Sequence, residues 1–277
     1  MIHTTDFIAT FGVKTKWKHL MAEQKVYVPT VGEEVANAVS HGVMLCLTLA
    51  ALPFAAVRAY VHDGTLAAVA ASVFVISLLL MFLGSTLYHS MHPASRHKEV
   101  FHILDHIFIY VAIAGTYTPI ALSVIGGWQG TFITVLQWAM VLFGIIYKSL
   151  ARRSIPAVSL TIYLVMGWTI VFFMPLFVRH ASMPLLVLIA AGGVLYTAGA
   201  WVYARKGFRY HHMVWHLLIN LAAICHFTAI VCDLYWDTDP RDTPLCFASD
   251  CRKEREKTKV KFALRNSYLC VNSARIT

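Results

Sequence analysis

The residues best suited to chemistry in this sequence are histidines spaced one helical turn apart within apolar segments. His212 and His216 stand four residues apart at the start of the last apolar run, and His89 follows Ser85 by the same interval at the end of the second. Residues four apart share one face of a helix, and imidazole nitrogens are common ligands of zinc. Because an ionisable side chain in a membrane helix is costly unless it is paired or ligated, the pattern predicts a zinc site.

The spacing alone leaves other interpretations open. His102 and His106 form a second pair with the same spacing, and nothing in the pattern ranks this pair below His212 and His216. Two histidines at a helix end could also hydrogen-bond lipid phosphates or carbonyls. Ser85 could donate to the carbonyl four residues back, as serines in membrane helices often do.

Other polar residues border the same segments. Glu34, Asn37 and His41 have helical spacing just before the first apolar segment, either as a cytoplasmic cap or as groups that support the site. His226 lies ten residues beyond His216, about 15 Å further along a helix. That distance is too long for the two to share an ion, so we expect His226 to be a buried, hydrogen-bonded core residue.

Apolar segments long enough to cross a bilayer carry these side chains. Hydrophobic residues make up 58% of the 277 positions and charged residues 13%, whereas soluble domains contain about 25% charged residues. About 20 apolar residues cross the hydrocarbon core, where helices satisfy their own backbone groups. We therefore predict an all-α integral membrane protein, a bundle of seven transmembrane helices at residues 40–60, 65–89, 101–125, 131–150, 156–178, 184–204 and 211–235.

The distribution of basic residues predicts the orientation of this bundle. Two lysines or arginines, Arg58 and Arg179, lie on one side. Twelve lie on the side of the N-terminus, at positions 14, 16, 18, 25, 96, 98, 148, 152, 153, 205, 206 and 209. Because basic loops stay in the cytoplasm, the N-terminus is predicted to be cytoplasmic and the C-terminus outside.

This orientation places the candidate site residues at one membrane level. Even-numbered helices then end, and odd-numbered helices begin, at the cytoplasmic face, where His89, Asp105, His212 and His216 all fall. Three histidines and a carboxylate could therefore converge. A carboxylate beside a zinc-activated water could accept its proton, so Asp105 is a candidate catalytic residue.

Charge and the N-terminal sequence argue against other classes of protein. The net charge of +9 is spread through the loops, which favours membrane topology over a nucleic-acid partner. The first 30 residues lack an apolar core followed by a small-residue cleavage site, so we expect no cleavable signal peptide.

The chain divides into a cytoplasmic N-terminal segment (1–39), a membrane domain (40–235) and a polar C-terminal tail (236–277). The six cysteines are too few and too scattered for a disulfide framework. The cysteines that could pair are Cys246, Cys251 and Cys270.

Taken together, the motifs resemble those of a known family. In chain order they are Glu34-x-x-Asn37 with His41, Ser85-x-x-x-His89, Leu104-Asp105-His106, Ala114-Gly-Thr-Tyr-Thr-Pro119, and His212-x-x-x-His216 followed by Cys225-His-Phe. Over roughly residues 30–232 this set is similar to bacterial hemolysin III proteins. Those proteins belong with the progestin and adiponectin receptor (PAQR) family, and share with alkaline ceramidases a proposed superfamily of seven-helix membrane hydrolases.

The resemblance implies roles for five residues. The family's zinc ligands match His89, His212 and His216, which favours this set over the rival pair in the third segment. Its aspartate, which contacts the water at the zinc, matches Asp105, and its serine, which assists the substrate carbonyl or water, matches Ser85. The resemblance also implies a bacterial plasma (inner) membrane location and a role in membrane homeostasis. It assigns nothing to the polar tail.

Three functions fit these observations. The first is a zinc-dependent hydrolase of a lipid amide or ester that enters from the bilayer, since three histidines leave one zinc position for water. The second is a non-enzymatic, receptor-like membrane sensor in which zinc clamps helices together. The third is a cytolysin (hemolysin) that forms pores, which is disfavoured because seven apolar helices without a signal peptide would have to leave their own membrane. The hydrolase is our leading hypothesis, with a membrane lipid as substrate or ligand and the oligomeric state unknown.

Overall fold

A computed structural model describes residues 29–92, 95–150, 156–205 and 208–235. The regular elements in these ranges are helices: α1 (Val31–Ser90), α2 (Arg96–Pro119), α3 (Gly127–Leu150), α4 (Pro156–Trp168), α5 (Met174–His180), α6 (Met183–Arg205) and α7 (His211–Phe227). Three further helical segments extend or join them: the π-helical Ile120–Ile125 and Thr228–Leu234, and the 3-10 helical Thr169–Phe173. Most of the predicted N-terminal segment, and the predicted tail with its three cysteines, lie outside the described residues.

Within the described ranges, six helices are long and apolar enough to cross a membrane. They are Val31–Ser90, Arg96–Ile125, Gly127–Leu150, Ala157–His180, Met183–Arg205 and His211–Cys232. Large apolar side chains such as Phe172 and Trp128 are exposed on these helices, as expected for surfaces that face lipid. The predicted all-α membrane bundle is confirmed, and each predicted segment from 101–125 onward overlaps one of these helices.

Two helical halves meet within α1 at a kink. The sequence predicted separate segments at 40–60 and 65–89, and Gly64, in the gap between them, leaves helical geometry, with φ 77° and ψ −160°. Glycine adopts a positive φ without the penalty of a Cβ. The side chains of Glu34 and His89 meet at 2.6 Å, although a straight helix of this length would extend about 90 Å. The two halves of α1 therefore fold back on each other at Gly64.

The second half of α1 lies at the centre of the bundle. Its buried side chains, including Phe74 and Leu78, form one core with Ile219 of α7. A Cβ at Gly115 of α2 would overlap the side chain of Ser77, so glycine allows α2 to approach α1 closely. This packing sets the end of α1 between the beginnings of α2 and α7.

Candidate metal centre

Three histidines converge where α1 ends and α7 begins. His89, His212 and His216 each offer one ring nitrogen, and these nitrogens lie within 4.8 Å of one another. The Nε2 atoms of His89 and His212 are 3.2 Å apart. Two nitrogens that bind one tetrahedral zinc ion at about 2.05 Å are separated by roughly 3.3 Å. The cluster can therefore hold a metal ion without rearrangement of this pair.

Hydrogen bonds determine which nitrogen of His216 faces the centre. Its Nδ1–H donates to the Asn37 carbonyl, 3.2 Å away, and Nδ1 also lies 3.0 Å from the Ser40 hydroxyl. The Ser40 hydroxyl donates its own proton to the same Asn37 carbonyl. The lone pair is thus left on Nε2 of His216, which is buried and has no hydrogen-bond partner among the described residues. An unsatisfied buried acceptor costs about 1–3 kcal/mol, and a metal ion at this nitrogen would remove that cost.

A carboxylate holds His89 in the same way. Nδ1 of His89 donates to Oε2 of Glu34 at 2.6 Å, which leaves Nε2 facing His212. The other carboxylate oxygen, Oε1, accepts from Nζ of Lys98 at 2.8 Å. Zinc-binding histidines commonly donate their second ring N–H to a carboxylate or a backbone carbonyl. Glu34 therefore holds the ring of His89, as the second of the two interpretations from the sequence requires.

The first turn of α1 also holds the beginning of α7. Thr30 caps α1, and the side chain of Glu33 completes a capping box with it. Oε1 of Glu33 accepts a further bond from the backbone N–H of Tyr210 at 2.9 Å. Tyr210 directly precedes α7 and has a left-handed backbone conformation, with φ 61°. The N-terminus of α1 therefore fixes the start of the helix that carries His212 and His216.

The ring of His41 packs face to face against the ring of His216 in the cluster. The ring centroids are 3.7 Å apart and the planes 3° from parallel. A nitrogen lone pair of imidazole lies in the plane of its ring. Because the planes of His41 and His216 are parallel, their lone pairs do not point at a common position, and His41 is poorly placed to share an ion with His216. Both ring nitrogens of His41 are buried without hydrogen-bond partners in the described part of the chain.

Asp105 and Ser85 are both buried, and Ser85 lies one helical turn before His89 on α1. The Asp105 carboxylate interacts electrostatically with His89 and with Lys148. The Ser85 hydroxyl lies beside this carboxylate without the geometry of a full hydrogen bond. A Cβ added at Gly84 would lie 3.7 Å from Cα of Asp105, so α1 and α2 approach closely here. The predicted catalytic residues and the predicted ligands thus gather at one end of the bundle.

The remaining histidines of interest lie outside the cluster. His102 and His106 contact each other with ring centroids 4.5 Å apart, and Nδ1 of His106 donates to the His102 carbonyl. Among the described residues, no third histidine, cysteine, aspartate or glutamate lies as close to this pair as His89 lies to His212 and His216. His226 is buried and donates from Nε2 to the Ile189 carbonyl at 3.2 Å, as predicted for a core histidine.

Sequence reasoning missed three residues that support the cluster: Ser40, Lys98 and Glu33. Only Glu33 had a local signal, because Thr30-x-x-Glu33 is the spacing of a capping box. Lys98 was used only as one of the basic residues that predict the orientation of the bundle, because its partner Glu34 is 64 residues away in the chain. Ser40 contacts a histidine 176 residues away, which no local pattern indicates.

The helices and the cluster define a multi-pass membrane protein with three histidines placed to hold a metal ion. Residues 30–227 match the sequence profile of a family described as "Haemolysin-III related". The chain therefore belongs to the haemolysin III family, and the predicted resemblance is confirmed.

Individual relatives are bacterial and mammalian. The "Hemolysin-3 homolog" of Bacillus subtilis (strain 168) is 35% identical over 190 residues, which cover 69% of this chain and 89% of that protein. "Hemolysin-3" of Bacillus cereus is 36% identical over 189 residues, or 68% and 86% of the two chains. The human "Monocyte to macrophage differentiation factor" is 28% identical over 217 residues, or 76% and 87%. The bacterial relatives favour the plasma membrane as the location of this protein.

Proposed function

We propose that this chain is a zinc-dependent membrane hydrolase that cleaves an amide or ester bond of a lipid. The observation that carries the proposal is the convergence of His89, His212 and His216 beside a buried carboxylate and a buried hydroxyl. Three nitrogen ligands are typical of catalytic zinc sites, which keep one position open. Zinc also suits imidazole better than the oxygen-seeking magnesium and calcium ions do.

Each polar group would have a distinct role in the reaction. A bound zinc ion would supply water activation and carbonyl polarisation. Asp105 would accept the proton of the attacking water on a carboxylate oxygen and would return it to the leaving amine or alcohol as the C–N or C–O bond breaks. Ser85 would donate a hydrogen bond to the carbonyl oxygen as negative charge develops there. Both groups are buried, and electrostatic interactions are stronger in a site that excludes water.

We further propose that the bundle crosses the membrane seven times, with the N-terminus in the cytoplasm and the C-terminus outside. Helix α1 has 60 residues, about three times the number needed for one crossing, and its reversal at Gly64 supports two crossings. The excess of basic residues on the side of the N-terminus supports the orientation. With this topology the histidines lie near the cytoplasmic face, where a lipid could reach them laterally from the bilayer.

A second function, a non-enzymatic sensor with structural zinc, is supported by a different observation. The three histidines come from the first and last helices, α1 and α7, and Glu33 already joins the ends of these helices through Tyr210. Zinc would then act as a clamp between α1 and α7. Removal of zinc would lower the thermal stability of such a protein, and no reaction would accompany it.

Lipid hydrolysis by purified protein in nanodiscs distinguishes the two functions. We expect the wild type to cleave a member of a panel of N-acyl amide and ester lipids. Asp105→Asn should keep one zinc per chain and lose about 10²–10⁴-fold in turnover, and Ser85→Ala should lose about 10²–10³-fold. Undiminished zinc-dependent turnover in Asp105→Asn would refute the assigned mechanism. A wild type that is full of zinc and stabilised by it, yet cleaves no lipid in the panel, would favour the sensor.

A further inference from the structure

We infer that Lys98 is a positioning residue for the metal centre, which it reaches through Glu34 and His89. Nζ of Lys98 donates to Oε1 of Glu34 at 2.8 Å, and Oε2 of the same carboxylate accepts from Nδ1 of His89 at 2.6 Å. The inference rests on the proposed function only in taking the histidine cluster as a zinc site. It adds that the first turn of α2 helps to set the geometry of a ligand on α1.

Lys98 is itself held by several contacts. Its Nζ also donates to the Met91 carbonyl at 3.2 Å and lies 5.1 Å from the centre of the Tyr88 ring. Tyr88 in turn packs on the His89 ring, with centroids 4.7 Å apart. The side chains of Lys98 and Glu34 are only 13% and 18% exposed. Such a pair is better ordered than a lysine and a glutamate that meet on an open surface, where the contact contributes little.

The physical effect of Lys98 is on the orientation of the Glu34 carboxylate. With one oxygen bonded to Lys98 and the other to His89, the carboxylate has a single favourable rotation. Without the lysine, Oε1 would lose its charged partner and the carboxylate could turn towards water, which weakens its hold on His89. Partners that orient a metal ligand typically contribute 10–100-fold to metal affinity. Lys98 bonds Glu34 and not His89 itself, so its contribution to metal affinity should be smaller than that of Glu34.

A direct electrostatic effect of Lys98 has the opposite sign. A positive charge near the cluster repels a cation, so its removal alone would strengthen zinc binding. The Glu34 carboxylate lies between Lys98 and His89 and offsets most of that repulsion. We therefore expect orientation to dominate, and the direction of the change in affinity tests this expectation.

The test is the zinc affinity of the full chain, purified in detergent and measured by competition with a chelator at one fixed pH. We expect Lys98→Met to bind zinc about fivefold more weakly, the size of a strong partly exposed ion pair, and Glu34→Gln about 10–100-fold more weakly. Lys98→Arg should restore most of the affinity, because a guanidinium also donates to carboxylates. Arg96→Met makes the same charge change at an exposed position two residues earlier and should leave zinc binding unchanged.

A double variant shows whether Lys98 acts through Glu34. If it does, Lys98→Met combined with Glu34→Gln should bind zinc as Glu34→Gln alone does, because coupled residues are not additive. Unchanged or tighter zinc binding by Lys98→Met overturns the inference, and so does full additivity in the double variant. Lys98→Arg keeps the test valid if Lys98→Met unfolds, since a folded Lys98→Arg protein that fails to retain most of the wild-type zinc affinity also counts against positioning by charge. Absence of zinc binding in the wild type overturns the zinc site itself, so the two failures are distinct.

Discussion

Replacement of His212 by alanine should remove zinc from the protein, whereas replacement of its neighbour His211 should not. Nε2 of His212 lies 3.2 Å from Nε2 of His89 within the cluster. Nδ1 of His211 instead donates to the Phe208 carbonyl at 3.0 Å, and His211 is not one of the three converging histidines. Both substitutions remove the same atoms from the first turn of α7. The pair therefore separates loss of a ligand from general damage to the helix.

The size of the effect follows from the number of ligands. Structural zinc sites with four ligands bind with about 10–16 kcal/mol, or roughly 3 kcal/mol for each ligand. Loss of one ligand at that value weakens binding by about 150-fold. With free zinc at about 100 times the wild-type dissociation constant, zinc adds about 2.7 kcal/mol to wild-type stability. The same zinc concentration is about two thirds of the dissociation constant of the His212→Ala protein, so zinc would add only about 0.3 kcal/mol to its stability.

Metal content and thermal unfolding measure both consequences. Plasma mass spectrometry of protein purified without chelators should find one zinc per chain in the wild type and in His211→Ala, and little in His212→Ala. A chelator should lower the unfolding temperature of the first two proteins and hardly affect the third. Equal zinc content in the two variants would refute the assigned cluster. Zinc loss on substitution of His102 and His106 would show that the rival pair binds the metal.

Two further predictions concern the bundle that carries the cluster. Gly192→Val should destabilise the packing of α6 on α7 by about 1–3 kcal/mol, because a Cβ there overlaps the His226 ring, whereas a Cβ at Gly193 meets no described atom within 4 Å. Thermal unfolding of Gly192→Val and Gly193→Val compares the two, and equal stabilities would contradict the packing. For the seven crossings, Asp63→Cys and Ser95→Cys in a cysteine-free background should react with a membrane-impermeant thiol reagent from outside and from the cytoplasm respectively. Reaction of both from the same side would contradict that topology.

Local patterns in the sequence were enough to predict the helices and part of the cluster. The length of the apolar runs predicted the membrane helices, because a helix needs about 20 apolar residues to cross the hydrocarbon core of a bilayer. His212 and His216 were found because both lie on one helix, one turn apart. The choice between this pair and His102 with His106 needed a third ligand, His89, which is 123 residues from His212. The resemblance to a family supplied that choice from the sequence, and in the folded chain His89, His212 and His216 lie close enough together to hold one ion.

The supporting contacts could not be read from the sequence because they depend on how the chain turns. The sequence predicted two segments, 40–60 and 65–89, but a break between two helices allows many angles between them. The kink at Gly64 folds the two halves of α1 back on each other and brings Glu34 to His89. Contacts such as that of Glu34 with Lys98 then form where the ends of α1 meet the beginnings of α2 and α7. Periodicity within one helix cannot predict a contact between different helices.

The position of the cluster also explains how a membrane bundle can carry so many polar side chains at little cost. The first N–H groups of any helix lack partners within the helix and must be satisfied by other groups. At the start of α1 the N–H of Thr30 donates to the Glu33 carboxylate and the N–H of Glu33 donates to the Thr30 hydroxyl. The other oxygen of the Glu33 carboxylate accepts from the backbone N–H of Tyr210. Glu34, one residue on, orients His89. Acidic side chains in a first turn are favoured by the helix dipole, so the groups that stabilise this helix end are also the groups that arrange the histidines of the cluster. A histidine cluster built at helix ends therefore uses carboxylates that the fold already favours there.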